Sequence, residues 1–150
     1  MIMCTHPIYI QKRNKLGNLR AYRCRCGKCP QCKKQDRQEW SFRMLQELRC
    51  HKSGVFVTLT YNDDNLPVNS EGHGTLNYLD IQKWLKRLRF TLTSIGSDSQ
   101  LRYWVCGEYG KIRARPHYHL ILYGLKPSEF YLINKTWGKG FVYLGYNLSP

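Results

Sequence analysis

His117 and His119 are the two side chains of this chain whose types and spacing best suit joint ligation of a metal. They sit in Pro116-His117-Tyr118-His119-Leu120-Ile121-Leu122-Tyr123, whose aliphatic and aromatic content predicts a strand. Alternate residues of a strand share a face, so both imidazoles project one way and Tyr118 the other. Residues 101–108 predict a second strand, and the basic segment Tyr109-Gly110-Lys111-Ile112-Arg113-Ala114-Arg115 between them predicts an antiparallel hairpin. A register that sets Glu108 opposite His117 also sets Cys106 opposite His119. Direct cross-strand partners share a face, so the Glu108 carboxylate would then reach the same ion as the imidazoles. Two ordinary strand histidines beside an exposed glutamate are the competing reading. The surroundings favour the metal, because Lys111, Arg113 and Arg115 crowd the turn and Thr58 and Thr60 alternate on the expected neighbouring strand. These five residues are the candidate phosphate ligands around the site.

A second constellation is Cys26-Gly27-Lys28-Cys29-Pro30-Gln31-Cys32, three thiols at metal-ligand spacing. Cys4 or Cys24 could supply a fourth thiolate for tetrahedral zinc. Cys4 is the better candidate, since Cys24 competes with Cys26 for one corner. Such a closed site would be structural, with free cytosolic thiols in a flexible arm as the alternative. An iron–sulfur cluster would lack an electron-transfer context. Cys50 and Cys106 read as small core or site-lining residues.

Composition narrows the partner. The chain has 150 residues with 24 Lys and Arg against 10 Asp and Glu, a formal net charge of +14 that calls for a polyanion. Four Trp, eleven Tyr and five Phe suit a single nucleic-acid strand, whose unstacked bases lie on rings while cations follow the phosphates. No run approaches a membrane-spanning length and the N-terminus lacks a signal-peptide pattern, so the expected location is the cytoplasm with no membrane partner. Seven cysteines in that reducing compartment favour metal over disulfides.

The elements that must position these groups follow from periodicity. Residues 11–37 carry ten Lys or Arg and one acid, Asp36, and read as a basic arm around the cysteine knuckle. We therefore expect an arm over 1–37 and a main domain over 38–150. Residues 35–50 predict an amphipathic helix through Trp40, Met44, Leu45 and Leu48. Residues 55–61 predict a central strand. Asn77 can cap a helix with Asp80 at its third position and with Tyr78, Ile81, Trp84, Leu85, Leu88 and Leu92 on one face. The other face of that helix offers Lys86, Arg87 and Arg89 to DNA. A short helix over 128–135 and a strand over 141–146 complete an α+β fold, a central antiparallel sheet with helices on one face.

These motifs in this order resemble a known class. Phe56-Val57-Thr58-Leu59-Thr60-Tyr61 followed by Arg115-Pro116-His117-Tyr118-His119-Leu120 looks like the first two motifs of the HUH replication initiators. With the cysteine knuckle ahead of Trp40, Lys86-Arg87-Leu88-Arg89, and Gly107-Glu108-Tyr109-Gly110, the chain from Met3 to Tyr146 resembles more closely the replication initiation proteins of microviruses, gokushovirus-like single-stranded DNA bacteriophages. The resemblance implies an endonuclease that nicks and rejoins single-stranded DNA at a rolling-circle origin in the bacterial host, with host replication proteins as further partners. His117, His119 and Glu108 would hold Mg2+ or Mn2+. A tyrosine followed by a lysine on a late helix would attack the phosphodiester.

Tyr131 and Lys135 have that spacing, but they lie between the histidine strand and the last strand, where the class has a connecting helix. Tyr143 and Tyr146 read as strand residues. The expectation is accordingly an HUH domain lacking its catalytic helix. The alternatives are a catalytically inactive single-stranded DNA or origin-binding module and a zinc-ribbon adaptor in which the histidines are incidental.

Overall fold

The computed structural model of the protein describes residues 4–148. They form two compact units, one ending at Gln46 and one beginning at Glu47.

The N-terminal unit contains an element that sequence reasoning missed. Strands β1 (Ile8–Arg13) and β2 (Leu19–Cys24) pair antiparallel, from Ile8 opposite Cys24 to Arg13 opposite Leu19. Asn14 shapes the turn, its side-chain oxygen accepting from the Leu16 and Asn18 amides, while Gly17 takes φ +80°. Every side chain of this hairpin except that of Cys24 is exposed, which hides the alternation that a half-buried strand shows. The following helix, α1 (Pro30–Arg49), starts on proline, whose missing N–H costs nothing in a first turn. It begins earlier than expected and runs unbroken through residues 37 and 38, where the arm was expected to end. Its anticipated apolar face is also not a buried one. Leu48 is buried, but Trp40 and Leu45 are exposed, and Arg43 lies over the Trp40 ring at 5.3 Å.

The second unit is built on a four-stranded antiparallel sheet, ordered β4 (Arg102–Tyr109), β5 (Pro116–Tyr123), β3 (Gly54–Thr60), β6 (Val142–Leu148). Val55, Val57 and Leu59 of β3 and Tyr118, Leu120 and Leu122 of β5 face one core. Helix α2 (Tyr78–Ser94) covers it with Ile81, Trp84, Leu85, Leu88 and Leu92, as its 3.6-residue period requires. A 3-10 turn (Pro127–Glu129) and helix α3 (Tyr131–Trp137) add Leu132, Ile133 and Trp137 to the same face. The Trp84 and Trp137 rings meet edge to face at 5.9 Å. The fold is therefore α+β, with α2 and α3 on one face of the central sheet.

Asn77 caps α2 as expected, its side chain accepting from the Leu79 amide. Asp80 does not close the reciprocal half of a capping box. Its buried carboxylate accepts from the Tyr61 hydroxyl at 3.1 Å and pairs with Lys139 at 3.2 Å, while the Asn77 amide donates to the Tyr118 hydroxyl. Buried acids need partners, and the core supplies better ones than the helix end.

Candidate metal centre

Because one face of the sheet is sealed by α2 and α3, the chemistry falls to the other. The register is the anticipated one: Glu108 lies opposite His117 and Cys106 opposite His119, and on the far side of β5 Thr60 lies opposite His117 and Thr58 opposite His119. The β3–β6 pairing then sets Tyr143 opposite Thr58. Two rows thus cross the sheet, Cys106–His119–Thr58–Tyr143 and Glu108–His117–Thr60. Phe56, half-buried on the same face, stacks on the His119 ring at 5.5 Å.

The ring nitrogens are sorted by their neighbours. His117 Nδ1 lies 3.1 Å from the Arg115 carbonyl oxygen, which can only accept, so neutral His117 carries its proton there and leaves the Nε2 lone pair free. His119 Nδ1 meets the Thr58 hydroxyl at 3.0 Å and its Nε2 faces the Glu108 carboxylate at 3.4 Å. The two rings stand nearly perpendicular, 4.9 Å between centroids. One ligand atom from each of Glu108, His117 and His119 lies within 4.8 Å of the others. Two imidazole nitrogens and one carboxylate oxygen suit a divalent transition ion, and the partial exposure of all three leaves positions open to a phosphate oxygen. Tyr109, next along β4 and so on the opposite side of the strand, has its phenol held below the usual range by hydrogen bonds from the Thr75 hydroxyl and the Leu76 amide.

Beside His117 opens a cleft of about 460 Å³ lined by Thr60, Lys111, Arg113, Arg115 and Pro116. Its wall is the β4–β5 turn, closed by a Gly110 amide to Arg115 carbonyl bond, with Ala114 at φ +46°, a left-handed conformation that costs a non-glycine residue about 1 kcal/mol or more. Lys111 and Arg113 are exposed there.

The remaining expected phosphate ligands are differently employed. Arg115 donates to Asp63 and to the Tyr61 carbonyl, both at 2.8 Å, so its guanidinium fixes the turn that orients His117. Thr58 orients His119, and Thr60 donates to the Phe141 carbonyl at 3.4 Å. Lys86, Arg87 and Arg89 lie on α2, on the opposite side of the sheet from the imidazoles. Arg87 donates to the Thr136 and Trp137 carbonyls that end α3, and Arg89 to the Leu101 carbonyl. The basic helix face is in these two positions a fastening between elements, not a continuation of the cleft. Tyr131 and Lys135 also belong to the helical layer, since α3 buries its apolar side in the core beneath the other sheet face. Tyr143 is the residue that sequence reasoning passed over: its place in the imidazole row depends on a pairing between β3 and β6, strands more than eighty residues apart.

The four knuckle cysteines also converge. Cys4, Cys26, Cys29 and Cys32 have their sulfurs within 4.8 Å of one another. Cys24 is outside the group and points its thiol at the Tyr22 carbonyl. Cys50 and Cys106 are exposed, which corrects a core reading for both, although Cys106 does flank His119.

Residues 54–148 match the family described as Replication-associated protein ORF2. The chain is 31% identical over 136 residues to the Replication-associated protein ORF2 of Spiroplasma virus 4, an alignment spanning 80% of this chain and 42% of that protein. It is 31% identical over 107 residues to the Replication-associated protein VP4 of Bdellovibrio phage phiMH2K, spanning 69% and 32%. It is 30% identical over 104 residues to the Replication-associated protein ORF4 of Chlamydia phage 1, spanning 69% and 25%. The chain thus spans less than half the length of each of these relatives. No solved structure matches it.

Proposed function

The chain belongs to the family of the replication-associated protein ORF2, and on that premise we propose that it serves phage DNA replication by holding single-stranded DNA and a divalent cation at Glu108, His117 and His119 for nicking and joining at a rolling-circle origin. The observation that carries this reading is the convergence of that carboxylate and the two Nε2 atoms on the sheet face that no core helix covers, beside a basic cleft. When bound, Mg2+ or Mn2+ supplies Lewis-acid polarisation of a phosphodiester and screens the charge on its oxygens, and the two imidazoles favour manganese. The chain's own residues do the rest. Arg115 and Thr58 hold the two rings in the orientation that aims Nε2 outward. Lys111 and Arg113 draw the strand's phosphates toward the cleft, and Tyr143 offers a ring on which a base can stack.

A second reading, a catalytically silent origin-binding module, is favoured by the position of Tyr131 and Lys135 in the helical layer. The two are separated by mixing the purified chain with Mn2+ and labelled single-stranded DNA and looking for a covalent adduct on a denaturing gel. An adduct lost in His117→Ala and in Tyr131→Phe supports the nuclease with Tyr131 as nucleophile; one lost only with the histidine supports it with another tyrosine. Salt-sensitive binding without an adduct supports the binding module. Failure to bind single-stranded DNA at all overturns both.

A further inference from the structure

Among the described residues of the N-terminal unit, the buried side chains are those of two cysteines, Cys29 at 6% and Cys32 at 1% exposure. Neither the hairpin nor the part of α1 up to Gln46 contributes a buried aliphatic or aromatic residue. A unit of this size without an apolar core needs another source of folding free energy. Its ion pairs are not that source: Arg25 reaches Asp36 at 3.0 Å and Glu39 at 3.5 Å, but all three are about two-fifths exposed, and such pairs contribute little.

The sulfurs have the geometry of a metal cage. Cys26 Sγ lies 3.9 Å from Cys32 Sγ, and Cys29 Sγ 3.9 Å from Cys4 Sγ. A tetrahedron with zinc–sulfur bonds of about 2.3 Å has an edge of about 3.8 Å, whereas a disulfide brings its sulfurs to about 2.05 Å. Backbone amides already serve the sulfurs as they serve thiolates: the Cys26 amide donates to Cys4 Sγ and the Cys29 amide to Cys26 Sγ, both at 3.4 Å. Gly27 at φ +71° makes the turn between Cys26 and Cys29 without the penalty that a β-carbon would bring.

We infer that Cys4, Cys26, Cys29 and Cys32 bind one structural zinc ion, and that this ion closes the N-terminal unit by joining the segment before β1, the end of β2 and the first turn of α1. Each thiol gives up its proton to solvent as it ligates, and four thiolates leave no position open for substrate. The exposed hairpin with Lys12, Arg13, Lys15, Arg20 and Arg23 is the element that the ion fixes in place. This inference is independent of the site at Glu108, His117 and His119.

The test uses the full chain purified in reductant without added chelator. Elemental analysis should find one zinc per chain, and exchange for Co2+ should give the visible and near-ultraviolet bands of a tetrahedral tetrathiolate. Those bands should persist in Cys24→Ser and in His117→Ala, and be lost in Cys29→Ser. Since Cys29→Ser could simply fail to fold, the unsubstituted chain is also stripped with a strong chelator and followed by amide hydrogen exchange. Protection in β1, β2 and the first turns of α1 should fall by at least about 100-fold while the four-stranded sheet keeps its own. Zinc-free protein with unchanged protection in those segments, or cobalt bands that depend on His117, would overturn the inference.

Discussion

At the residue scale the candidate metal centre rests on three donors and on the two groups that set their tautomers. Removing a donor and removing an orienting group should differ in degree. His119→Ala deletes one of three protein ligands and should abolish measurable Mn2+ binding at this site by calorimetry. Thr58→Val keeps the shape of the side chain and removes only the hydroxyl 3.0 Å from His119 Nδ1, so affinity should fall by about 10-fold, the lower end for an outer-shell partner. Equal losses in both variants would mean that Thr58 supports the strand and not the ring. The same scale shows why Arg115 should not be scored with Lys111 and Arg113. Its guanidinium is already engaged by Asp63 and the Tyr61 carbonyl, and its carbonyl holds His117.

At the scale of elements, Glu129 ties the 3-10 turn to the segment before β4. Burial pushes its carboxyl up, but hydrogen bonds from Ser97, Ser99 and the Lys126 amide outweigh that and hold it below the usual carboxylate range. A group whose folded pKa is depressed contributes stability above its unfolded pKa, about 4.3, and loses it as pH falls through the folded value. Glu129→Gln should therefore cost about 2 kcal/mol near neutrality, and its deficit in urea midpoint against the unsubstituted chain should shrink below about pH 4. A deficit that persists unchanged in acid would show that packing and not ionisation is responsible. Gly140 is the second fastening: a β-carbon there would lie 2.3 Å from the Thr60 carbonyl oxygen and 2.4 Å from the Asn62 nitrogen. Gly140→Ala should lower the thermal midpoint by several degrees, through about 2 kcal/mol or more, because backbone on both sides must give way.

Elements also mark the limit of what the sequence discloses. The β4–β5 hairpin, its register and the Glu108–His117–His119 grouping were legible because all of them are local and obey a period of two. The cap on α2 and its apolar face were legible for the same reason at a period of 3.6. The β1–β2 hairpin was not, since exposure of both faces removes the alternation on which strand recognition depends. The role of Asp80, the employment of Arg87 at the end of α3 and the place of Tyr143 all depend on contacts between segments far apart in the chain, which no local pattern encodes.

At the scale of the whole molecule the net charge of +14 is distributed over elements with different duties, so charge alone overstates how much of the surface meets a phosphate. Arg87, Arg89 and Arg115 are engaged by carbonyl or carboxylate oxygens, whereas Lys111 and Arg113 project from the cleft wall. On the proposed function, each cation that neutralises a phosphate of a single strand contributes about 0.7 to the slope of log affinity against log salt. Replacing Lys111 and Arg113 together by Ala should thus flatten that slope by about 1.4, measured by fluorescence anisotropy with a labelled oligonucleotide across a salt series. Lys86→Ala, on the helical side of the sheet, should leave it unchanged. If Lys86 and the cleft pair flattened the slope alike, the strand would cross the helical layer, and the sheet face with His117 and His119 would no longer be where the DNA is held.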